Sequence, residues 1–161
     1  MAAAVEAGLS SLGVLFGYGS ETTKGTQPTE FNLLDRVNNI GGISLSVEQI
    51  DASALADEIS RYVAGRQDTG GTWSVTFNLT SETMEQLEEM ITEYNGLSDG
   101  KRMWFEVYHP SLTDGFFVVA QPPQNLPMPE IGQNELLTIE LTFIIEEYKG
   151  SLTAVKPVAK S

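Results

Sequence analysis

The chain has no cysteine and one histidine, and its 161 residues carry nine basic side chains against 22 acidic ones. The first absence excludes a disulfide framework, a thiolate metal site and a cysteine nucleophile, so stability must come from packing and assembly. The shortage of Lys and Arg, with a net charge of −13, argues against a surface that grips phosphate. The same charge suits a solvated surface, or one along which nucleic acid passes without sticking, because like charges repel. The N-terminus lacks a basic stretch of the signal-peptide kind, and its apolar runs are far too short to span a membrane. These features lead to the expectation of a soluble protein made in the cytoplasm, with no membrane anchor and no cofactor. The length fits one domain with a core of its own.

Catalytic signatures are equally sparse. His109 precedes Pro110 at a strand end, with no Ser, Cys or Asp spaced as a nucleophile and base would require, and reads as a turn residue. Neither GxGxxG nor GxxxxGK[ST] occurs, and no Asp-rich calcium loop is present. A carboxylate-based hydrolase would need Glu48, Glu106 or Glu140 to converge in a closed pocket. The aromatics Trp73, Phe77, Trp104, Phe105, Tyr108, Phe116 and Phe117 could line a barrel that binds an apolar ligand, although alternating aromatics in strands are more often core.

What is present is β patterning. Residues 1–41 hold Gly13, Gly17, Gly19, Gly25 and Pro28 without a sustained period, and read as an N-terminal arm. The arm also holds Leu15, Phe16, Phe31 and Leu33, so it is expected to dock either on its own domain or on a neighbouring subunit. From Gly42, Ile43, Leu45 and Val47 alternate with Ser44, Ser46 and Glu48 as in a half-buried strand. Asp51 to Gly71 reads as a long excursion with a short helix through Leu55, Ile59 and Val63, and its length makes it a candidate interaction element. Trp73, Val75, Phe77 and Leu79 then alternate with Thr and Ser in the clearest strand of the chain.

A helix is expected over 81–95, capped by Thr80 or Ser81 and stopped by Gly96, with Met84, Leu87, Ile91 and Tyr94 as its buried stripe. Its other face carries Glu85, Glu88, Glu89 and Glu93 without basic partners, which marks it as solvated. Strands are expected from Arg102 to Tyr108, from Gly115 to Ala120 and over a long run from Asn134 to Glu147. In that last run Leu137, Ile139, Leu141, Phe143 and Ile145 alternate against Thr138, Glu140 and Thr142. Before it, QPPQNLPMPE holds four of the seven prolines and reads as an extended connector. The expected core is Trp73, Val75, Phe77, Leu79, Leu87, Ile91, Leu141 and Phe143. The fold class is mainly β with one α-helix, an α+β chain built as a β-sandwich or half-barrel. A domain over 42–150 carries a long loop, between extended arms at 1–41 and 151–161.

The segment ISLSVEQIDASALADEISRYVAGRQDTGGTWSVTFNLT, with its D…R…G…D…G loop, and the closing ELLTIELTFIIEEYKG resemble the phage major tail tube proteins. With the intervening helix the resemblance covers roughly residues 42–150. It implies a non-enzymatic subunit that joins five others in a ring, with rings stacking into a hollow tube through which the genome passes. Ser44, Ser46, Glu48, Thr138, Glu140 and Thr142 would then face the lumen. Leu15, Phe16, Phe31, Leu33, Asp57, Arg61, Arg66 and Asp68 would meet neighbouring subunits. The implied partners are copies of the chain, proteins that start and stop the tube, and a tape-measure protein, with DNA passing unbound; the implied place is the tail of a virion. No residue demands a surrounding sheath, which favours a long non-contractile tail.

Overall fold

The computed structural model describes residues 7–159, and over these the chain is mostly β with a single helix. The element order is β1 (Leu15–Ser20), β2 (Asn32–Leu34), β3 (Val37–Ile40), β4 (Ser46–Asp51), β5 (Tyr62–Asp68), β6 (Thr72–Asn78), α1 (Ser81–Asn95), β7 (Met103–Tyr108), β8 (Asp114–Gln121) and β9 (Thr138–Thr153). Seven strands form one antiparallel sheet in the order β2-β1-β7-β8-β9-β6-β3, while β4 and β5 pair only with each other.

The two edge strands of the large sheet, β2 and β3, are consecutive in the chain and separated only by Asp35 and Arg36. A sheet whose opposite edges meet at one bend must curl on itself, as barrels do. Aromatic rings record the curl: Phe16 on β1 lies with its ring centroid 5.6 Å from Trp73 and 5.9 Å from Phe77, both on β6. Phe105 on β7 sits 4.7 Å from Phe143 on β9. The bend is pinned by backbone and side-chain bonds. Arg36 adopts φ 60°, its carbonyl accepts the Asn78 N–H at 2.8 Å, and Asp35 exchanges hydrogen bonds with Gln86 of α1 at 2.8 and 2.9 Å.

Inside the curl lies the main core. Trp73, Val75, Phe77, Leu87, Ile91, Leu141 and Phe143 are buried there together with Phe16, Tyr18, Phe105 and Ile139, and Leu79 packs at its margin. The helix begins at Thr80, whose hydroxyl accepts the Thr83 N–H, and ends at Gly96. Its buried stripe is Thr83, Leu87, Met90 and Ile91, with Tyr94 partly buried; Met84, expected inside, is exposed. Thr83 takes the inner position because its hydroxyl can bond to Thr80 at 3.0 Å, which lets a polar residue be buried without an orphan group.

Three expectations about the ends and the excursion are corrected. Residues 15–40 are not an arm given over to contacts between subunits: β1 lies between β2 and β7, and Phe16 and Phe31 are wholly buried within their own chain. No helix spans 53–64; the chain there is the tip of the β4–β5 hairpin and its returning strand. Of the stretch from Ile43 only Ile43 itself packs against the core; Leu45 and every residue of β4 are exposed. The tail beyond residue 150 lies along the sheet: Leu33 N–H bonds to Val158 O at 2.8 Å and Val158 N–H to Phe31 O at 3.0 Å, adding a parallel bridge to the β2 edge. Residues 1–6 and 160–161 of the expected arms fall outside the described residues.

Candidate assembly surfaces

The β4–β5 hairpin is the feature least explained by the stability of a lone chain. Its strands pair antiparallel, Ser46 opposite Asp68 and Asp51 opposite Tyr62, with a bulge between Val47 and Gln49. Leu45, Val47, Ile50, Tyr62 and Val63 are 43–57 % exposed, Ile59 is 80 % exposed and Leu55 wholly so. A lone two-stranded hairpin is marginal in water, and contiguous exposed apolar side chains mark a surface that another molecule covers.

The tip is nevertheless shaped by short-range bonds. Asp51 accepts the Ser53 N–H at 2.9 Å, Asp57 accepts the Ala54 N–H at 2.8 Å, Arg61 N–H reaches Ser53 Oγ at 2.8 Å, and Arg61 pairs with Asp57 at 3.4 Å. The Ser53 hydroxyl and N–H hold the Asp51 carboxyl below its ordinary value. Asp57 and Arg61, expected as contacts to neighbours, thus first order the loop that presents Leu55 and Ile59. Asp68 accepts the Gly70 N–H at 2.9 Å at the hairpin base, while Arg66 is exposed. Leu15 and Leu33 are half-buried in the sheet.

The lumen candidates separate into two groups. Thr138, Glu140 and Thr142 lie on the outward face of β9, opposite Asn78, Thr76 and Ser74 of β6. Together they make a hydroxyl-rich patch with Glu140 as its one carboxylate. Ser46 and Glu48 stand on the hairpin, and Ser44 on the connector before it. The acidic density lies elsewhere, on α1, where Glu82, Glu85, Glu88 and Glu89 are exposed and Glu93 is half-buried, accepting Ser20 Oγ at 2.9 Å.

A second, smaller apolar cluster lies on the outside of β7 and β8, built from Phe31, Trp104, Phe117 and Val119 and flanked by Leu152 and Val155. Its polar margin is Glu21, which sequence inspection alone did not single out. Glu21 accepts Trp104 Nε1–H at 2.9 Å and the Arg102 N–H at 2.8 Å, and pairs with the Arg102 guanidinium at 3.4 Å. Burial pushes its carboxyl up, but the N–H donors of Trp104, Gly25 and Arg102 outweigh that and hold it below the ordinary range.

The carboxylates of a hydrolase do not come together: Glu48 is on the hairpin, Glu140 on the outer face of β9, and Glu106 under the C-terminal segment. His109 is a turn residue, its Nδ1 accepting the Ser111 N–H at 3.0 Å and its Nε2 lying 2.6 Å from Ser10 O. Of the aromatics proposed to line a ligand barrel, Trp73, Phe77 and Phe105 fill the interior by packing on one another and on Phe16. The apolar space beside them is an open groove of ≈ 260 Å³ at the hairpin root, lined by Ile43, Trp73, Phe116 and Tyr148 among others.

No protein-family model matches the chain, and no curated protein sequence does. Solved structures do share its fold. It is similar to a chain in the sheath/tube terminator of an extracellular contractile injection system in its extended state, with a TM-score of 0.60, 15 % identity, and 90 % of this chain covering 97 % of that one. It is similar to a chain in the tail of an empty GTA particle with C6 symmetry, with a TM-score of 0.56, 13 % identity, and coverage of 91 % and 99 %. A chain in the sixfold-symmetrised baseplate of the anti-feeding prophage gives a TM-score of 0.51, 10 % identity, and coverage of 92 % and 98 %. The chain therefore has, over nearly its whole length, a fold found in tail-like particles.

Proposed function

We propose that the chain is a structural subunit whose copies form rings of six that stack into the hollow tube of a tail-like particle. The observation that carries the reading is the β4–β5 hairpin, whose large apolar side chains are exposed, on a fold shared with tail-like particles. A head-to-tail contact of this kind, in which the hairpin of one copy meets a different surface on the next, closes into rings or extends into filaments. Six copies per ring accords with the sixfold symmetry under which two of the similar assemblies are described.

The hydroxyl-rich face where β6 pairs with β9 supplies the lumen: it is uncharged apart from Glu140 and free of Lys and Arg, so DNA would slide past it without adhering. The same geometry would serve a virion tail, a bacteriocin-like particle or a secretion tube, with starting, stopping and tape-measure proteins as further partners. The likeness to a chain in a contractile injection system supports the inner tube of a contractile particle as an alternative to a long non-contractile tail.

The test is negative-stain electron microscopy of the purified protein over a range of concentrations, beside light scattering. Hollow tubes or stacked rings of six are the expected result, and a monomer at every concentration would count against the reading. Single rings that never stack would favour a second role, capping a tube end, which the likeness to a chain in a sheath/tube terminator supports.

A further inference from the structure

Glu106 is wholly buried, although it is a carboxylic acid on the outward side of the sheet. It faces Gly17 of β1 and Phe117 of β8 in register. Gly115 leaves it room, since a Cβ there would lie 2.7 Å from Glu106 Oε2, and Gly17 leaves room for the segment above it, since a Cβ there would lie 2.8 Å from Pro157 Cβ. The roof of this slot is the C-terminal segment, residues 154–159. Val155 N–H donates to Glu106 Oε2 at 2.9 Å, while Glu106 Oε1 is buried without a partner. Beyond Glu106 the segment is held by Ala154 N–H to Thr113 O at 3.1 Å, by the two backbone bonds to the β2 edge, and by Val155 on the outer apolar cluster.

We infer that residues 154–159 form a proton-controlled strap, which lies closed over the β2 edge while Glu106 is protonated and loosens when Glu106 ionises. A charged carboxylate with one bond and one orphan oxygen is costly in a dry slot, whereas the neutral acid is tolerated. Opening the strap returns the charge to water. The charged side chains on the surrounding elements do not relieve the cost: Lys156 on the strap and Asp114 on β8 are exposed, Glu147 and Lys149 on β9 pair with each other at 2.8 Å, and β1 and β2 carry none. Burial pushes the Glu106 carboxyl up to about 7, opposed only by the Val155 N–H.

The sign follows from linkage. The closed state binds the proton more tightly than the open one, whose carboxyl has its ordinary value of 4.5. Closure is therefore strongest in acid, weakens as pH rises from that value towards 7, and levels off above. The inference does not depend on tube assembly.

Hydrogen–deuterium exchange of the full chain, read by mass spectrometry on peptides covering the strap and the middle of β9, tests it. After correction for intrinsic exchange, protection of the strap should fall by roughly tenfold to a hundredfold between pH 5 and pH 8, with the β9 peptide unchanged. In Glu106→Gln the strap should stay protected at both pH values. Equal strap protection at the two pH values in the wild type overturns the inference, and so does an undiminished pH step in the variant. If the variant does not fold, the Glu106 carboxyl carbon followed by NMR in the wild type decides. Titration over the pH range in which the strap opens supports the device, and titration outside that range overturns it.

Discussion

Gly17 and Gly19 show how a single residue type can hide a strand. They alternate with Phe16 and Tyr18, so the middle of β1 has rings on one face and no side chains on the other. With nothing on that face, the stretch shows no polar and apolar alternation and reads as a flexible arm. The reason for glycine is steric: a Cβ on Gly19 would meet Glu30 O at 2.6 Å, and one on Gly17 would meet Asn32 O at 2.9 Å as well as Pro157. Gly17→Ala should therefore cost about 1–3 kcal/mol, seen as a lowered urea midpoint with an unchanged slope. Leu87, wholly buried in the main core, gives a stronger expectation: Leu87→Asp should abolish folding, read as loss of the near-ultraviolet signal of Trp73 and its ring neighbours.

Among the elements, those with one wet and one dry face were legible. β6 and the first half of β9 alternate strictly because one face of the curled sheet is packed and the other is wet, and their core residues could be named from the sequence alone, as could Leu87 and Ile91 of α1. The helix phase slipped by one position, Met84 for Thr83, because a buried threonine satisfied by its own cap carries no apolar signal. The hairpin misled for the opposite reason. Neither of its faces is covered, so Leu55, Ile59 and Val63 were free to fall at helical spacing without a helix forming. If its tip is a contact between copies, the double variant Leu55→Ser, Ile59→Ser should keep the monomer's thermal midpoint within about 2 °C, since surface changes alter stability little. It should also lose rings and tubes in the microscope; normal tubes would show that the tip is not the contact. On the helix, Glu89→Lys should leave folding and assembly unaffected, and Thr80→Ala should destabilise by about 1 kcal/mol in denaturant titration.

Over the whole molecule, charge is the dominant quantity. A net −13 on every copy makes association work against repulsion, and the acidic face of α1 concentrates much of it. Raising salt from about 0.05 to 0.5 M shortens the screening length severalfold, so the concentration at which light scattering rises should fall. A threshold that climbs with salt would mean that ion pairs between copies outweigh the repulsion.

The bend at Asp35 and Arg36 also bears on how the chain is made. β2 and β3 leave the ribosome together, yet they are destined for opposite edges of the sheet, and the strands that fill the space between them come almost entirely from later in the chain. β1 waits for β7, and β8 for β9, before it has its full set of neighbours. Loop closures of that length slow folding. The early strands must therefore stay without part of their sheet until β7, β8 and β9 have emerged, and the curl can close only then.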